Sequence, residues 1–152
     1  VLSTVGLQPI PSSSGTKAAI IRALRTSGEL SLSLVAEIGG RIVGHVAFSP
    51  LSIDGLDDSW FGLGPIAVEP AVQRKGIGRA LVSAGLAALQ KRGAAGCALI
   101  GDPKVYRRLG FESDGLLAYE DIERSYVQRI IFRGNPPQGE LRFAAAFGEA
   151  GH

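Results

Sequence analysis

Apolar and polar residues alternate with a period of two along several stretches of the chain, as in strands that have one buried face. Leucines at 30, 32 and 34 between polar residues predict a strand over 30–38, and the Gly39–Gly40 pair predicts a tight hairpin into a second strand over 42–48. Further apolar runs predict strands at 61–68, 97–100, 127–132 and 141–147.

Apolar residues at roughly helical spacing predict a short helix over 17–26, which ends before Gly28. A longer helix is predicted over 76–92, and it ends at Gly93, whose missing side chain suits a helix C-terminus. Strands interspersed with helices in this way are typical of one α/β (α+β) domain, and we expect a mixed, mostly antiparallel sheet flanked by helices.

The beginning of the chain has a different character. Residues 1–15 contain Pro9, Pro11 and a run of three serines, a composition typical of loops and linkers. The sequence therefore predicts an N-terminal segment over 1–16 and a single domain over 17–152.

Composition narrows the class of protein. The chain of 152 residues is 45% hydrophobic and 20% charged, which is typical of a globular domain, and its net charge of +2 is too small to indicate a nucleic-acid partner. Its single cysteine, Cys97, lies in an apolar run and is expected to be a buried thiol. Because there is no leader and no run of about 18 apolar residues, we expect a cytoplasmic protein without a membrane partner.

Candidate chemistry is concentrated between residues 63 and 80. The strand expected at 61–68 contains Pro65, which cannot donate a hydrogen bond to a neighbouring strand. This proline predicts a bulge or an edge, where backbone groups remain available to an extended ligand. The chain then enters the basic stretch 73–79, directly before the expected helix.

This stretch has the features of a diphosphate site. Backbone N–H groups converge at the start of a helix, and glycines at 76 and 78 allow a phosphate to approach without meeting a Cβ atom. Arg74, Lys75 and Arg79 add positive charge. The spacing is that of neither a P-loop nor a dinucleotide fingerprint. The residues alone leave one alternative open, a glycine-rich helix entry with a solvated basic turn.

The run Gln73–Gly78 fits the pattern Gln/Arg-x-x-Gly-x-Gly/Ala at every defined position, and segments 44–50, 63–70, 101–103 and 106–111 carry further matching motifs. Together they resemble the GNAT superfamily of acetyl-coenzyme A-dependent N-acetyltransferases, in particular the YhbS-like bacterial subgroup. The resemblance covers about residues 17–147. It implies a GNAT fold.

The resemblance also implies an activity and the residues that support it. The chain would move the acetyl group of acetyl-CoA directly to a primary amine of a small molecule, peptide or protein in a ternary complex. The backbone N–H of Ile66 or Val68 would hold the thioester carbonyl, and Tyr106 would protonate the departing thiolate. For Tyr106, the alternative is a packing tyrosine on a short helix. A non-catalytic CoA-binding sensor or assembly module is the alternative. The implied cofactor-binding residues are Ile66, Ala67, Val68, Gln73, Arg74, Lys75, Gly76, Ile77, Gly78 and Arg79.

The general base is less well marked. Glu69, at the end of the cofactor strand, is the nearest carboxylate in sequence and could act through water, with a solvated turn residue as the alternative. His45 lies in an alternating strand, where it either faces the site or bonds within the sheet. Asp102 precedes Pro103 and is better explained as a helix cap. No group of histidine, cysteine and carboxylate residues has the spacing of a metal site.

One feature departs from the family pattern. A GNAT domain normally begins with a strand and a helix before the equivalent of residues 17–26, and residues 1–16 are too few to supply both. We therefore expect the N-terminal part of the fold to be shortened or to lie outside this sequence, with at most Val1–Gln8 as a first strand. The acceptor amine and the formation of a homodimer stay open.

Overall fold

The structure, a computed structural model, describes residues 2–11, 18–24, 32–70 and 76–143. The chain divides into two compact units. The first comprises Val1–Phe48 and Pro65–Ala88, and the second comprises Ser49–Gly64 and Leu89–His152. Two strands and the long helix each contribute residues to both units.

The described elements follow one another along the chain as strands with few helices. They are β1 (Leu2–Pro11), β2 (Ala18–Leu24), β3 (Leu32–Ile38), β4 (Arg41–Ile53), β5 (Leu56–Val68), α1 (Ile77–Lys91), β6 (Gly96–Ile100), α2 (Pro103–Tyr106), β7 (Leu117–Ala118), β8 (Val127–Ile131) and β9 (Gly139–Phe143). Short 3-10 turns cover Arg107–Leu109 and Arg124–Tyr126.

In the first unit, β1, β2, β3 and the first part of β4 pair in that order, and each pair is antiparallel. Gly39 and Gly40 make the turn between β3 and β4 with φ values of +58° and +82°. Two successive residues at positive φ are what a type I′ hairpin requires, and glycine adopts them without steric strain. The hairpin prediction is therefore confirmed.

Helix α1 packs against β4 within this unit. A Cβ atom at Gly44 of β4 would lie 3.0 Å from Leu81 and 3.2 Å from Ile77 of the helix. Farther along, a Cβ atom at Gly85 of the helix would overlap the ring of Phe48. Glycine on each element thus allows close contact between helix and strand, and it fixes where the helix begins above the sheet.

In the second unit, the first part of β5 pairs with β6 in parallel, and β6 pairs with β8 in an antiparallel arrangement. The second part of β4 pairs with β9, which also pairs in parallel with the short β7. The core of this unit lies around Trp60, whose exposed fraction is 5%. Its other buried members are Leu51, Ile53, Ala95, Ala98, Leu117, Val127 and Leu141.

The predicted fold class is confirmed, a mixed and mostly antiparallel sheet with few helices. The helix predicted over 17–26 is wrong, because Ala18–Leu24 forms strand β2 between β1 and β3. Buried Ala19, Ile21 and Ala23 alternate with partly exposed neighbours, which is the period of a strand. Pairing on both sides has outweighed the helix propensity of the alanines and leucine.

The loop predicted over 1–15 is also wrong for Leu2–Pro11, which forms β1. Pro9 and Pro11 are compatible with this strand because, among the described strands, it pairs with β2 alone and lies at an edge. The domain boundary at residue 16 stays a prediction. The last strand was predicted to reach residue 147, but 144–152 lie outside the described residues.

Among the helices in the described part of the chain, none has the length and apolar character needed to cross a membrane.

Candidate functional site

The end of strand β5 departs from regular geometry. Gly64 has a φ of +134°, which residues with a side chain rarely adopt, and Pro65 follows without an N–H group. Beyond this irregularity Ile66 and Val68 are half-buried while Ala67 is exposed. The strand therefore presents an exposed position between two partly buried ones, directly before the chain leaves the sheet.

Two contacts hold Glu69 in place at the end of β5. Its backbone N–H donates to the carbonyl of Val43 on β4 at 2.8 Å, and its carboxylate lies 3.0 Å from the guanidinium of Arg41. The ion pair is partly exposed, so its contribution to stability is small, about 0–1 kcal/mol.

Helix α1 begins directly after a glycine in the left-handed conformation. Gly76 has a φ of +82°, and its carbonyl accepts the hydrogen bond from Ala80 N–H at 3.0 Å. The backbone N–H groups of residues 77–79 therefore precede the first hydrogen bond within the helix and carry the positive end of its dipole. Such a helix start favours an anion.

The start of α1 lies over the end of β5. A Cβ atom at Gly78 would lie 3.6 Å from Val68 and 3.9 Å from Ile66, which is ordinary van der Waals contact. Ile77 is anchored in the core with an exposed fraction of 3%, whereas Arg79 is exposed. The structure thus brings the predicted cofactor residues of β5 and α1 together within the first unit. The remaining three, Gln73, Arg74 and Lys75, lie outside the described residues.

Tyr106 ends the short helix α2 in the second unit. Asp102 caps this helix, since its Oδ1 accepts from Lys104 N–H at 2.9 Å, and Pro103 occupies the first turn. The capping role predicted for Asp102 is therefore confirmed. The Tyr106 ring is half-buried and meets Phe111 edge-on, with ring centroids 6.2 Å apart. Burial raises the pKa of the Tyr106 phenol above its ordinary value, which favours the neutral, proton-donating form.

The remaining candidate residues are Cys97 and the two histidines. Cys97 is fully buried on β6, and desolvation raises the pKa of its thiol far above the ordinary value, as expected for a thiol that is not a nucleophile. His45 is half-buried on β4, opposite Val35. His152 lies outside the described residues. Within those residues there is no group of three or more histidine, cysteine, aspartate or glutamate side chains placed to hold a metal ion.

Sequence reasoning missed Arg41, the partner of Glu69, and Gly44, on which the first turns of α1 rest. Arg41 follows the Gly39–Gly40 turn, and only the pairing of β4 with the end of the β5 segment, seen in the hydrogen bond from Glu69 N–H to Val43, places it beside Glu69. For Gly44 there was a signal. A glycine inside a strand often marks the close approach of another element.

Comparisons with known proteins show the family of this chain. The family model described as Acetyltransferase (GNAT) domain matches residues 29–113. A curated sequence from Escherichia coli (strain K12), named "Uncharacterized N-acetyltransferase YhbS", is 40% identical over 110 residues, which is 72% of this chain. The chain spans 64% of the length of that relative.

Two solved structures with bound cofactor are similar to this chain. The first is a GNAT family acetyltransferase from Brucella melitensis in complex with acetyl-CoA. It has 46% identity and a TM-score of 0.67, over 78% of this chain and 69% of that one. The second is the GNAT family N-acetyltransferase YhbS from Escherichia coli in complex with CoA. It has 28% identity and a TM-score of 0.78, over 86% of this chain and 92% of that one.

Proposed function

Because this chain belongs to the GNAT acetyltransferase family, we propose that it is an N-acetyltransferase that moves the acetyl group of acetyl-CoA to a primary amine of a small molecule, peptide or protein. The observation that carries the proposal is the junction of β5 and α1, where a left-handed glycine leads into a helix start that lies over the irregular end of a strand. The similar structures hold acetyl-CoA or CoA, which supports the same co-substrate here.

The junction suits both halves of the cofactor. The backbone of Ile66–Val68 would pair with the amides of the pantetheine arm, as an added strand pairs with a sheet. The N–H groups of residues 77–79 and the side chain of Arg79 would hold the pyrophosphate. Gln73, Arg74 and Lys75 would complete that site, as the family signature implies. Gly76 contributes by having no Cβ atom at the point where the phosphates approach.

The proposed reaction is a direct transfer. Acetyl-CoA supplies the thioester, and the neutral amine attacks its carbonyl carbon, so that a C–N bond forms and the C–S bond breaks. A backbone N–H in Ile66–Val68 would stabilise the negative charge that develops on the carbonyl oxygen. Tyr106 would give its phenolic proton to the thiolate of CoA, and the ammonium proton would leave to water or to Glu69. Burial of Cys97 supports a route without an acyl-enzyme.

The proposal is tested by following CoA thiol release from acetyl-CoA in the presence of a panel of amines. Tyr106→Phe is expected to lower kcat by roughly 100-fold or more, because general-acid catalysis contributes about 10²–10⁴-fold, while the Kd for acetyl-CoA is unchanged. Unchanged kcat in this variant would remove Tyr106 from the mechanism. Tight acetyl-CoA binding with no turnover on any amine would instead identify a CoA-binding module.

The role of Glu69 is tested by a matched pair of substitutions. Glu69→Gln removes both the carboxylate and the ion pair to Arg41, whereas Arg41→Gln removes only the ion pair. If Glu69 accepts the amine proton, Glu69→Gln lowers kcat/KM at neutral pH and Arg41→Gln does not. Equal losses in the two variants would assign Glu69 to the ion pair alone. Neither change is expected to alter stability by more than about 1 kcal/mol, since the pair is partly exposed.

A further inference from the structure

Glycine at position 101 leaves room for the ring of Tyr106. A Cβ atom at Gly101, directly after β6, would lie 2.6 Å from Cε2 of Tyr106 and 3.0 Å from its Cδ2. Real Cβ atoms do not approach other heavy atoms so closely, and the ring therefore occupies the space that any side chain at 101 would need. The position of the ring depends on where the backbone of Gly101 lies.

The backbone of Gly101 is held at both of its polar groups. Its N–H donates to the carbonyl of Tyr126 at 3.0 Å, and its carbonyl accepts from Nε2 of Gln128 at 2.8 Å. The first bond extends the pairing of β6 with β8. The second comes from a side chain, and it fixes the peptide that follows Gly101 and leads into α2.

Gln128 is unusual in its strand. Its exposed fraction is 1%, and it is one of two buried polar or charged residues in the described part of the chain, the other being Glu37. A buried amide is retained only where it is hydrogen-bonded, because its desolvation is otherwise uncompensated. The partner of its Nε2 is the carbonyl of Gly101, which connects this buried side chain with the peptide beneath the Tyr106 ring.

We propose that Gln128 and Gly101 are positioning residues for acetyl transfer, which fix the ring of Tyr106, the proposed general acid, against the end of β6. Phe111 follows the turn at Gly110 and is fully buried. It meets the Tyr106 ring edge-on and helps to hold it in place. This inference rests on the proposed function, since it assumes that Tyr106 is the general acid. A displacement of about 1 Å in a catalytic group lowers rates by about a hundredfold.

The principal test is Gln128→Met, which keeps the size of the side chain and removes its donor. We expect kcat to fall roughly tenfold to a hundredfold while the Kd for acetyl-CoA is unchanged. In a Tyr106→Phe background the same substitution is expected to change kcat by no more than about twofold, since a residue that acts through Tyr106 has nothing left to position. Equal losses in both backgrounds would mean that Gln128 has a general structural role, and the proposal would be wrong.

A second readout follows the ring itself. The chain has three tyrosines, so NMR of protein labelled at tyrosine resolves Tyr106, assigned with Tyr106→Phe. Gln128→Met is expected to shift the Tyr106 signal and lower its ionisation midpoint towards that of an exposed tyrosine. An unmoved signal overturns the positioning role whatever happens to kcat. A moved signal combined with full activity of Tyr106→Phe overturns the acid assignment instead, and with it the link between Gln128 and catalysis.

A control and a second variant complete the experiment. Val127→Ala, next to Gln128 on β8, removes packing from the Trp60 core and keeps the side chain that bonds to Gly101, so it is expected to lower Tm but leave kcat and the Tyr106 signal unchanged. Gly101→Ala tests the contact between position 101 and the Tyr106 ring directly. The result does not depend on whether the Gln128 variant folds. Its loss of Tm should largely disappear in a Tyr106→Ala background, and an undiminished loss there contradicts the ring contact.

Discussion

At the scale of single residues, Gly76 has both a backbone conformation that favours glycine and a proposed role in binding the pyrophosphate. Its φ of +82° disfavours any residue with a Cβ atom, yet a Cβ atom there would meet nothing within 4 Å. Gly76→Ala is therefore expected to lower the free energy of unfolding by about 1–2 kcal/mol through backbone strain alone. It should also weaken acetyl-CoA binding, because the added methyl group would lie where the pyrophosphate is proposed to approach the helix start. Calorimetric titration and chemical denaturation measure the two effects.

Gly93, at the opposite end of α1, provides the matched control. It has a φ of +86° and equally open surroundings, so Gly93→Ala introduces the same strain far from the proposed phosphate site along the helix. The two variants should lose similar stability, and only Gly76→Ala should lose affinity. Equal affinities in both would contradict a role for Gly76 in binding the cofactor.

The same scale explains which parts of the site could be predicted from sequence. The junction residues Gly76 and Gly78 lie in one contiguous segment, so their spacing and charge could be interpreted directly. The contacts Arg41–Glu69 and Gln128–Gly101 could not, because strand register brings their members together, in the second case across 27 residues. A polar residue inside the apolar run 127–132 was the one available signal for Gln128.

At the scale of elements, local chemistry decides some structures and pairing decides others. The Gly39–Gly40 turn and the end of α1 just before Gly93 were predictable because positive φ at those residues is a local requirement. Strand β2 was not predictable in this way. Its residues are compatible with a helix, and its conformation is set by β1 and β3, which bond to it on both sides.

The contact between α1 and β4 yields a prediction in which helix propensity gives the wrong sign. Replacing glycine by alanine inside a helix normally stabilises it by about 1 kcal/mol. At Gly85 a Cβ atom would overlap the fully buried ring of Phe48, so Gly85→Ala is expected to destabilise the protein by roughly 1–3 kcal/mol.

Gly78→Ala tests the same substitution in the same helix with the opposite expectation. Its Cβ atom would make an ordinary contact at 3.6 Å with Val68, so the variant should be as stable as the parent or up to about 1 kcal/mol more stable. Chemical denaturation of the two variants side by side gives the comparison. A gain in stability for Gly85→Ala would show that Phe48 can move aside and that the helix is not fixed by this contact.

At the scale of the whole molecule, cofactor binding is expected to raise the thermal stability of the protein. A ligand that binds only the folded protein stabilises it by about 2.7 kcal/mol at a concentration of 100 times Kd. For a chain of this length that corresponds to a rise in Tm of about 5–10 °C. We therefore expect acetyl-CoA and CoA to raise Tm in a thermal melt, and the rise to become smaller at high salt because the proposed pyrophosphate site is electrostatic.

Pantetheine separates the two halves of the proposed cofactor site in the same experiment. It retains the amides that would pair with the end of β5 and lacks the pyrophosphate that would bind at the start of α1. If the helix start contributes most of the affinity, pantetheine at the same concentration raises Tm far less than CoA does, and Gly76→Ala reduces the effect of CoA while leaving that of pantetheine unchanged. Equal rises with pantetheine and CoA would mean that the helix start takes no part in binding, and a melt that neither ligand shifts would contradict cofactor binding by this chain.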